Sequence, residues 1–149
     1  LDDVAKRGRQ VASLHGKGPL ELRVTGHVAI FVAGDLAVDD DFTIELGPSS
    51  SVDLFVAGNV RASARFTLGA ASQAGRARLY VGGSGTLDIQ SEALIAGSLY
   101  ASRAELVTRG TLTVYGSLFV RRAAPLGDID LHYDVSQRSP VSCQVDPSP

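Results

Sequence analysis

The segment Phe31-Val32-Ala33-Gly34-Asp35-Leu36 returns almost unchanged at residues 55–60 as Phe-Val-Ala-Gly-Asn-Val. The pattern is an aliphatic residue, any residue, a glycine, a small polar residue and usually an aliphatic residue. It occurs three more times, at 80–85, 94–99 and 113–118. Internal repeats of this size are typical of solenoids, in which each repeat stacks on its neighbours.

The glycine of each copy has the parity of the buried side of its strand. Between Leu20 and Tyr133 apolar residues alternate with other residues, as in Val52, Leu54 and Val56, and this alternation marks strands with one buried face. A buried-side glycine suits a corner where stacked coils leave no room for a side chain. The predicted corner glycines, 24, 25, 14 and 19 residues apart, are Gly34, Gly58, Gly83, Gly97 and Gly116.

The sequence therefore predicts an all-β fold, a single-stranded parallel β-solenoid of about five or six coils stacked about 4.8 Å apart. Segments 47–51 and 70–75 are predicted loop insertions that lengthen the earlier coils. An antiparallel sandwich or barrel would share the short alternating strands but would not explain five copies of one motif. Because an open solenoid end presents unpaired strand backbone, it must be capped or it tends to polymerise.

The domain organisation follows from where the alternation begins and ends. Asp2 to Leu14 has apolar residues at helical spacing, which predicts a short N-terminal helix and a candidate cap for one end. We expect a helix and linker over residues 1–19, a β-solenoid domain over 20–134 and a Pro/Ser-rich tail over 135–149. The lone Cys143 lies in that tail, where a free thiol and pairing with another chain both remain open.

The composition excludes several classes of protein. Lys plus Arg is 14 and Asp plus Glu is 16, a balance that argues against a nucleic-acid binder. Hydrophobic residues make up 44%, which is not a disordered composition, and no apolar run is long enough for a membrane span. One cysteine permits neither an intrachain disulfide nor a cysteine-based zinc cluster. Because position 1 is not methionine, we expect that the chain is trimmed or part of a longer protein.

From Ala29 to Asp134 the sequence resembles the Gly-rich β-solenoid domain at the C-terminus of bacterial PilX-like pilus-assembly proteins. The matching stretches are Leu99–Ala104 against an "IYAPNA" coil, 114–116 against a "YG" coil, and 132–134 against a closing "HYD". The family's Pro and Asn in the first stretch are Ser102 and Arg103 here. The resemblance implies a cell-envelope or extracellular protein with a membrane or pilin-like segment upstream, a role in adhesion or assembly, and no enzyme activity.

A looser resemblance connects the chain with the bactofilins, polymer-forming β-solenoid scaffolds of bacteria. It implies a cytoplasmic scaffold that self-associates through its coil ends. A third alternative is a carbohydrate-binding or carbohydrate-processing β-helix. Self-complementary open ends would favour the scaffold, and a concave face with clustered carboxylates and arginines would favour the carbohydrate protein.

Three groups of residues are candidates for sites. His132, Tyr133 and Asp134 form a terminal motif that we expect to close the last coil, since a metal site needs three or four convergent ligands. Asp39-Asp40-Asp41 is an acidic cluster that resembles a calcium loop, although a solvated turn explains it as well. A basic face could contact a protein or an acidic surface polysaccharide, or simply keep the rod soluble; its residues are Arg61, Arg65, Arg103, Arg121 and Arg122.

No motif in the sequence indicates an enzyme. A Gly-x-Ser-x-Gly elbow and a phosphate-binding loop are absent, and Cys143 lies in a segment ill suited to hold a nucleophile rigidly. We therefore predict a non-catalytic module with no cofactor and no metal. Its expected partners are a protein, a surface polysaccharide or another copy stacked on a coil end, and a membrane only through the upstream segment.

Overall fold

One chain winds through three parallel β-ladders in the structure, a computed structural model that describes residues 9–11, 14–16 and 18–133, with side chains from Gly18 onward. Every strand pairing is parallel and joins adjacent coils. Each coil contributes to three faces, here named A, B and C in chain order. The predicted parallel β-solenoid is thereby confirmed.

Within the described residues six coils follow one another, because the ladder of face C contains six strands there, one from each coil. The first and last coils are therefore about five turns apart. The strands, coil by coil, are β1 (Arg9–Val11), β2 (Leu14–Gly16) and β3 (Leu20–Val24); β4 (His27–Val32), β5 (Leu36–Val38) and β6 (Phe42–Leu46); β7 (Ser51–Val56), β8 (Val60–Ala62) and β9 (Phe66–Leu68); β10 (Ala77–Val81), β11 (Thr86–Ile89) and β12 (Ala93–Ile95); β13 (Gly97–Thr108) and β14 (Thr111–Tyr115); and β15 (Ser117–Pro125) and β16 (Asp128–His132). β13 and β15 each run around the corner between faces A and B and serve both faces.

The register places inward side chains directly over inward side chains of the next coil. On face A, Leu54 is in register with Leu79, and Leu79 with Leu99. On face C the rings of Phe42 and Phe66 stack with centroids 5.1 Å apart. The buried aliphatic and aromatic side chains form one continuous core along the rod. A coil therefore buries its apolar side mainly against the coils above and below it, as expected for a solenoid.

The two predicted insertions lie at the corner between face C of one coil and face A of the next. One connects β6 to β7, where Ser50 Oγ accepts a hydrogen bond from the backbone N–H of Gly26 at 2.9 Å. The other connects β9 to β10 and contains a 3-10 turn at Ala71–Gln73. The amide of Gln73 donates to the carbonyl oxygen of Leu46 at 2.7 Å, which fastens this longer loop to the coil before it.

The predicted N-terminal helix over Asp2–Leu14 is wrong wherever the structure describes this segment. Residues 9–11 are β1, which pairs with β4, and residues 14–16 are β2, which pairs with β5. The rest of the predicted helix, residues 2–8, 12 and 13, lies outside the described residues. Strand edges at β4 and β5 offer unpaired backbone groups, and pairing with them overrides a weak helical pattern. The solenoid strands thus begin ahead of the predicted boundary at Leu20.

The five copies of the glycine motif do not occupy equivalent positions. Gly34, Gly58 and Gly83 lie above one another at the A–B corner, where the N–H of Gly58 donates to the carbonyl oxygen of Gly34, and the N–H of Gly83 to that of Gly58, both at 2.9 Å. Gly97 is in register with Ala77 instead, and Gly116 comes one residue before the partner of Ser98, so both lie at the C–A corner. The interval of 14 residues is therefore a step between two corners, since each coil has three bends that can carry the motif.

Candidate functional site

At Gly58 and Gly83 the preceding coil leaves no room for a side chain. A Cβ on Gly58 would overlap the Asp35 carboxylate and lie 2.9 Å from the carbonyl of Gly34. A Cβ on Gly83 would overlap the Asn59 amide and the Gly58 carbonyl in the same way. The polar residue after each glycine occupies that space, because it accepts a hydrogen bond from the next coil. This arrangement is structural and leaves no space for a ligand.

Two of these polar residues cap backbone N–H groups at the A–B corner. Asp35 Oδ1 accepts from the N–H of Asn59 at 2.7 Å, and Asn59 Oδ1 accepts from the N–H of Gly85 at 3.0 Å. Such side chains supply the acceptors that a bend in the ladder lacks. The position immediately after the glycine therefore joins one coil to the next.

The acidic cluster divides among three different partners. Asp39 pairs with Arg61 at 3.3 Å, Asp40 accepts from the N–H of Gly18 at 2.6 Å, and Asp41 accepts from the N–H of Arg65 at 3.1 Å. The carboxylates are thus used to fasten neighbouring coils. Within residues 18–133, no group of three or more His, Cys, Asp or Glu side chains is placed to hold a metal ion.

The terminal motif lies at the end of the last strand, β16. The His132 ring stacks on the ring of Tyr115 in the preceding coil, with centroids 4.7 Å apart and an angle of 12° between the planes. Tyr133 is exposed, and Asp134 lies outside the described residues. A role of this motif in closing the last coil stays a prediction, and the ring contact of His132 is consistent with it.

The five arginines of the predicted basic face are distributed over several positions around the rod. Arg61 lies on face B and pairs with Asp39 at 3.3 Å. Arg122, also on the face B part of its coil, is 3.9 Å from Glu105. Arg65, at the corner before β9, is 3.6 Å from Glu92. These three charges are therefore balanced locally.

Arg103 and Arg121 differ from the other three. Both lie at the A–B corner, where the register of β13 and β15 shifts, and neither forms an ion pair with any residue in 18–133. Arg103 is thus an unpaired cation at a point where the rod surface is irregular.

Arg23 lies elsewhere and is paired with Glu45. The hydrogen bond and the charge of Glu45, and then the charge of Glu21, raise the pKa of Arg23 above its ordinary value.

A column of aromatic rings runs along the outside of face A. Its members are in register from coil to coil, and they are Phe31, Phe55, Tyr80, Tyr100 and Phe119. We call this column the aromatic ladder. It contains five of the chain's aromatic residues, of which there are five Phe and four Tyr in total. Phe31, Tyr100 and Phe119 are 43%, 47% and 56% exposed, so the ladder is a contiguous apolar strip on the surface.

The rings of the ladder stack on each other except at one point. Neighbouring centroids are 4.8, 4.7 and 5.1 Å apart with planes within 9° for Phe31–Phe55, Phe55–Tyr80 and Tyr100–Phe119. Between Tyr80 and Tyr100 the centroids are 6.3 Å apart and the planes are tilted by 55°. Stacked rings cover each other's faces, so the ladder presents ring edges to solvent except at the tilted pair.

An open groove of about 840 Å³ follows the ladder along the A–B corner. The ladder rings from Phe31 to Tyr100 form one wall. Its floor consists of small and aliphatic residues of coils 2 to 4, among them Ala33, Ala57 and Gly82. Ser102 and Arg103 line the end of the groove that lies in coil 5. The groove is therefore an apolar trough with one cation at one end.

The aromatic ladder has a signal in the sequence that the glycine motif does not include. Phe31, Phe55 and Tyr80 each begin a motif copy, and their odd or even position places them opposite the buried residues. Tyr100 and Phe119 continue the column at the coil spacing of the shorter coils. Aromatic residues that recur once per coil on the polar side of a strand indicate an exposed ladder.

Within its described part, the structure has no helix long and apolar enough to cross a membrane.

The family of the chain follows from comparison with known proteins. No curated protein and no solved structure matches the chain. A family model, "Domain of unknown function (DUF7305)", matches residues 12–139. Because this match spans most of the sequence, the chain belongs to the DUF7305 family.

Proposed function

We propose that this chain is a non-catalytic β-solenoid module of a bacterial cell-envelope or surface protein, with a pilus-assembly-like role in adhesion or assembly. The observation that carries the proposal is the aromatic ladder on face A. Aromatic residues are enriched in protein interfaces, and the ladder exposes a continuous row of them. The envelope context is supported by the resemblance of residues 29–134 to the pilus-assembly domain.

A rigid rod suits such a role. Most of its buried side chains lie between coils, so the outer faces can vary without disturbing the core. Face A keeps its aromatic rings at fixed positions, since each ring is in register with the next along paired backbone. A partner would thus meet a preorganised strip, which lowers the entropy cost of binding.

The first experiment measures the molar mass of the chain by light scattering over a wide concentration range, with negative-stain images of the same samples. We expect a monomer of 15.6 kDa at every concentration. Filaments, or a mass that rises with concentration, would contradict a module that works through an outer face. The compartment is tested separately on cells that produce the natural protein. We expect added protease to digest the chain in intact cells, and full protection would overturn the surface location.

A polymer-forming scaffold is the second candidate, and one observation favours it. No residue from Ser117 to Tyr133 is fully buried, and no described strand pairs with the outer edge of β15 or β16. An uncovered strand edge is a template for pairing with another copy. Filaments in the negative-stain images would make this scaffold the leading function.

A further inference from the structure

We propose that the groove beside the aromatic ladder binds an extended, proline-rich peptide segment of a partner protein, with an acidic residue of that segment next to Arg103. This inference rests on the proposed function, because it names the partner class for the same outer face. Four properties of the groove lead to it: its apolar lining, its paired backbone, its spacing and its single cation.

The lining of the groove favours an apolar occupant. Apart from the tyrosine hydroxyls, the polar side chains that line it are Ser102 and Arg103, both at one end. A sugar chain carries hydroxyl groups on every ring and needs polar partners along its whole length. The stacked rings also cover each other's faces, so inside the groove a sugar or a base would find an uncovered ring face at the tilted Tyr80–Tyr100 pair and not along the stacked rings. The chemistry therefore points to a peptide with apolar side chains.

The backbone of the rod selects the conformation of that peptide. On face A the N–H and C=O groups of β4, β7, β10 and β13 are already paired with neighbouring coils. An added β-strand would leave its own ladder groups without partners on this surface. A polyproline II helix needs no such partners, because its backbone has no internal hydrogen bonds and remains solvated. It can place one row of side chains against the groove while water forms hydrogen bonds with its backbone groups.

The spacing of the groove fits the same conformation. Polyproline II has three residues per turn and repeats every ~9.3 Å, and two coil spacings of a β-ladder measure ~9.6 Å. Every third residue of the peptide would thus meet an equivalent position two coils further along. From coil 2 to coil 5 the groove spans three coil spacings, or ~14 Å, which corresponds to about five peptide residues. Aromatic-lined grooves recognise proline-rich segments in this way.

The charge of the groove determines at which end of the groove the acidic residue of the peptide lies. Arg103 forms no ion pair with any described residue and lies at the end where the tilted rings leave a ring face accessible. A carboxylate is the group that a guanidinium prefers, through paired N–H to oxygen hydrogen bonds. The acidic residue of the partner segment therefore lies at the coil 5 end, and the prolines lie along Gly82, Ala57 and Ala33.

A second copy of the chain fits this strip less well. The ladder spans four coil spacings, about 19 Å, and a single column of rings is roughly 10 Å wide. Such a strip covers on the order of 200 Å², whereas a stable interface needs about 800 Å² per partner. A slender peptide makes use of a strip of this size, and an isologous dimer does not.

The test is a titration of the isotope-labelled full chain, followed by NMR, with a synthetic proline-rich nonamer that ends in a glutamate whose α-carboxyl group is amidated. The matched peptide ends in glutamine, also amidated, and so carries no carboxylate. We expect shift changes at Ala57, Gly82 and Ser102, and about fivefold weaker binding for the glutamine peptide. The variant Arg103→Gln should bind both peptides at the weaker level, and Arg121→Gln, which alters the unpaired arginine of β15 at the same corner, should bind like the original chain.

A second variant separates the ring contact from the charge. Tyr100→Ser should weaken both peptides by about tenfold, since it removes the ring beside Arg103. Absence of groove shifts at millimolar peptide would overturn the proposal, and so would equal affinity of the two peptides. Groove shifts with an oligomer of galacturonic acid, and none with either peptide, would assign the site to an acidic glycan. The molar mass and the protease accessibility in intact cells do not depend on this titration, so the proposed function fails or survives separately.

Discussion

Coil 3 and coil 6 have the same alternating pattern but very different burial. In coil 3 every inward side chain, from Val52 on face A to Leu68 on face C, is at most 2% exposed. In coil 6 the corresponding Leu118 and Ile129 are only partly buried, and Leu131 is 53% exposed. Coil 3 has a coil on each side, and coil 6 has a described neighbour on one side only.

Burial of apolar side chains in this fold therefore comes from the stacking of coils on each other and not from the single coil. The hydrophobic contribution to stability is proportional to the apolar area removed from water, so equal side chains contribute less in coil 6. The middle coils are accordingly the rigid part of the rod. The last coil is the place where another molecule can still add contacts. The following substitutions test this contrast, in order of decreasing expected change in the free energy of unfolding.

Phe66→Ala in coil 3 should have the largest effect. Phe66 is fully buried and stacks on Phe42, so its removal leaves a cavity between coils and should lower the free energy of unfolding by about 3–5 kcal/mol. Leu131→Ala in coil 6 is the control and should cost less than about 1 kcal/mol, because half of that side chain is in water. Urea unfolding followed by circular dichroism measures both. Equal losses would mean that coil 6 is packed as tightly as coil 3.

Gly97→Ala should lower the free energy of unfolding by about 3 kcal/mol. The new Cβ would overlap the carbonyl oxygen of Ala77, and coils on both sides prevent the backbone from moving away. In Gly127→Ala the Cβ would overlap the carbonyl oxygen of Gly110, but coil 6 can shift outward, so about 1 kcal/mol is expected. Thermal unfolding of the two variants makes the comparison. A larger loss for the Gly127 variant would contradict the idea of a yielding last coil.

Asp35→Ala should cost about 1.5 kcal/mol, since it removes the acceptor of the Asn59 N–H between coils 2 and 3. Asp39→Ala is a matched change at the residue that directly follows β5. It removes only an exposed ion pair with Arg61 at 3.3 Å and should cost about 0.5 kcal/mol or less. Both values come from urea titration at low and high salt. The reverse order would show that surface charge pairs, and not corner caps, hold adjacent coils together.

Thr108→Val should raise the free energy of unfolding by about 1 kcal/mol. Thr108 is fully buried in coil 5, and its hydroxyl finds no hydrogen-bond partner among residues 18–133. Valine keeps the shape and removes the desolvated hydroxyl. Differential scanning calorimetry should show a higher Tm. A lower Tm would mean that the hydroxyl has a hydrogen-bond partner. Coil 6 would then shield Thr108 from water less completely than the burial of this residue indicates.

Alternation and the glycine motif were enough to predict the fold class. Val52, Leu54 and Val56 are buried as their parity requires, because a period of two leaves only one assignment of inside and outside once a core exists. The predicted N-terminal helix was wrong at residues 9–11 and at Leu14, because a weak local pattern cannot reveal a strand edge that lies beside it in the fold. The pairing of β1 with β4 and of β2 with β5 is contributed by residues more than 20 positions away.

The candidate surface depended far more on the tertiary structure. Neighbours in the rod are 17 to 27 residues apart in the chain, and this offset varies with each loop. Without the register, Gly97 looks equivalent to Gly83, Arg61 looks like a free cation, and Tyr100 looks unrelated to Phe55. By itself the sequence determined which side chains face the core and that coils stack, because these follow from local parity and repetition. Only the stacked coils decided which outward residues meet, and so produced the aromatic ladder, the paired arginines and the groove that ends at Arg103.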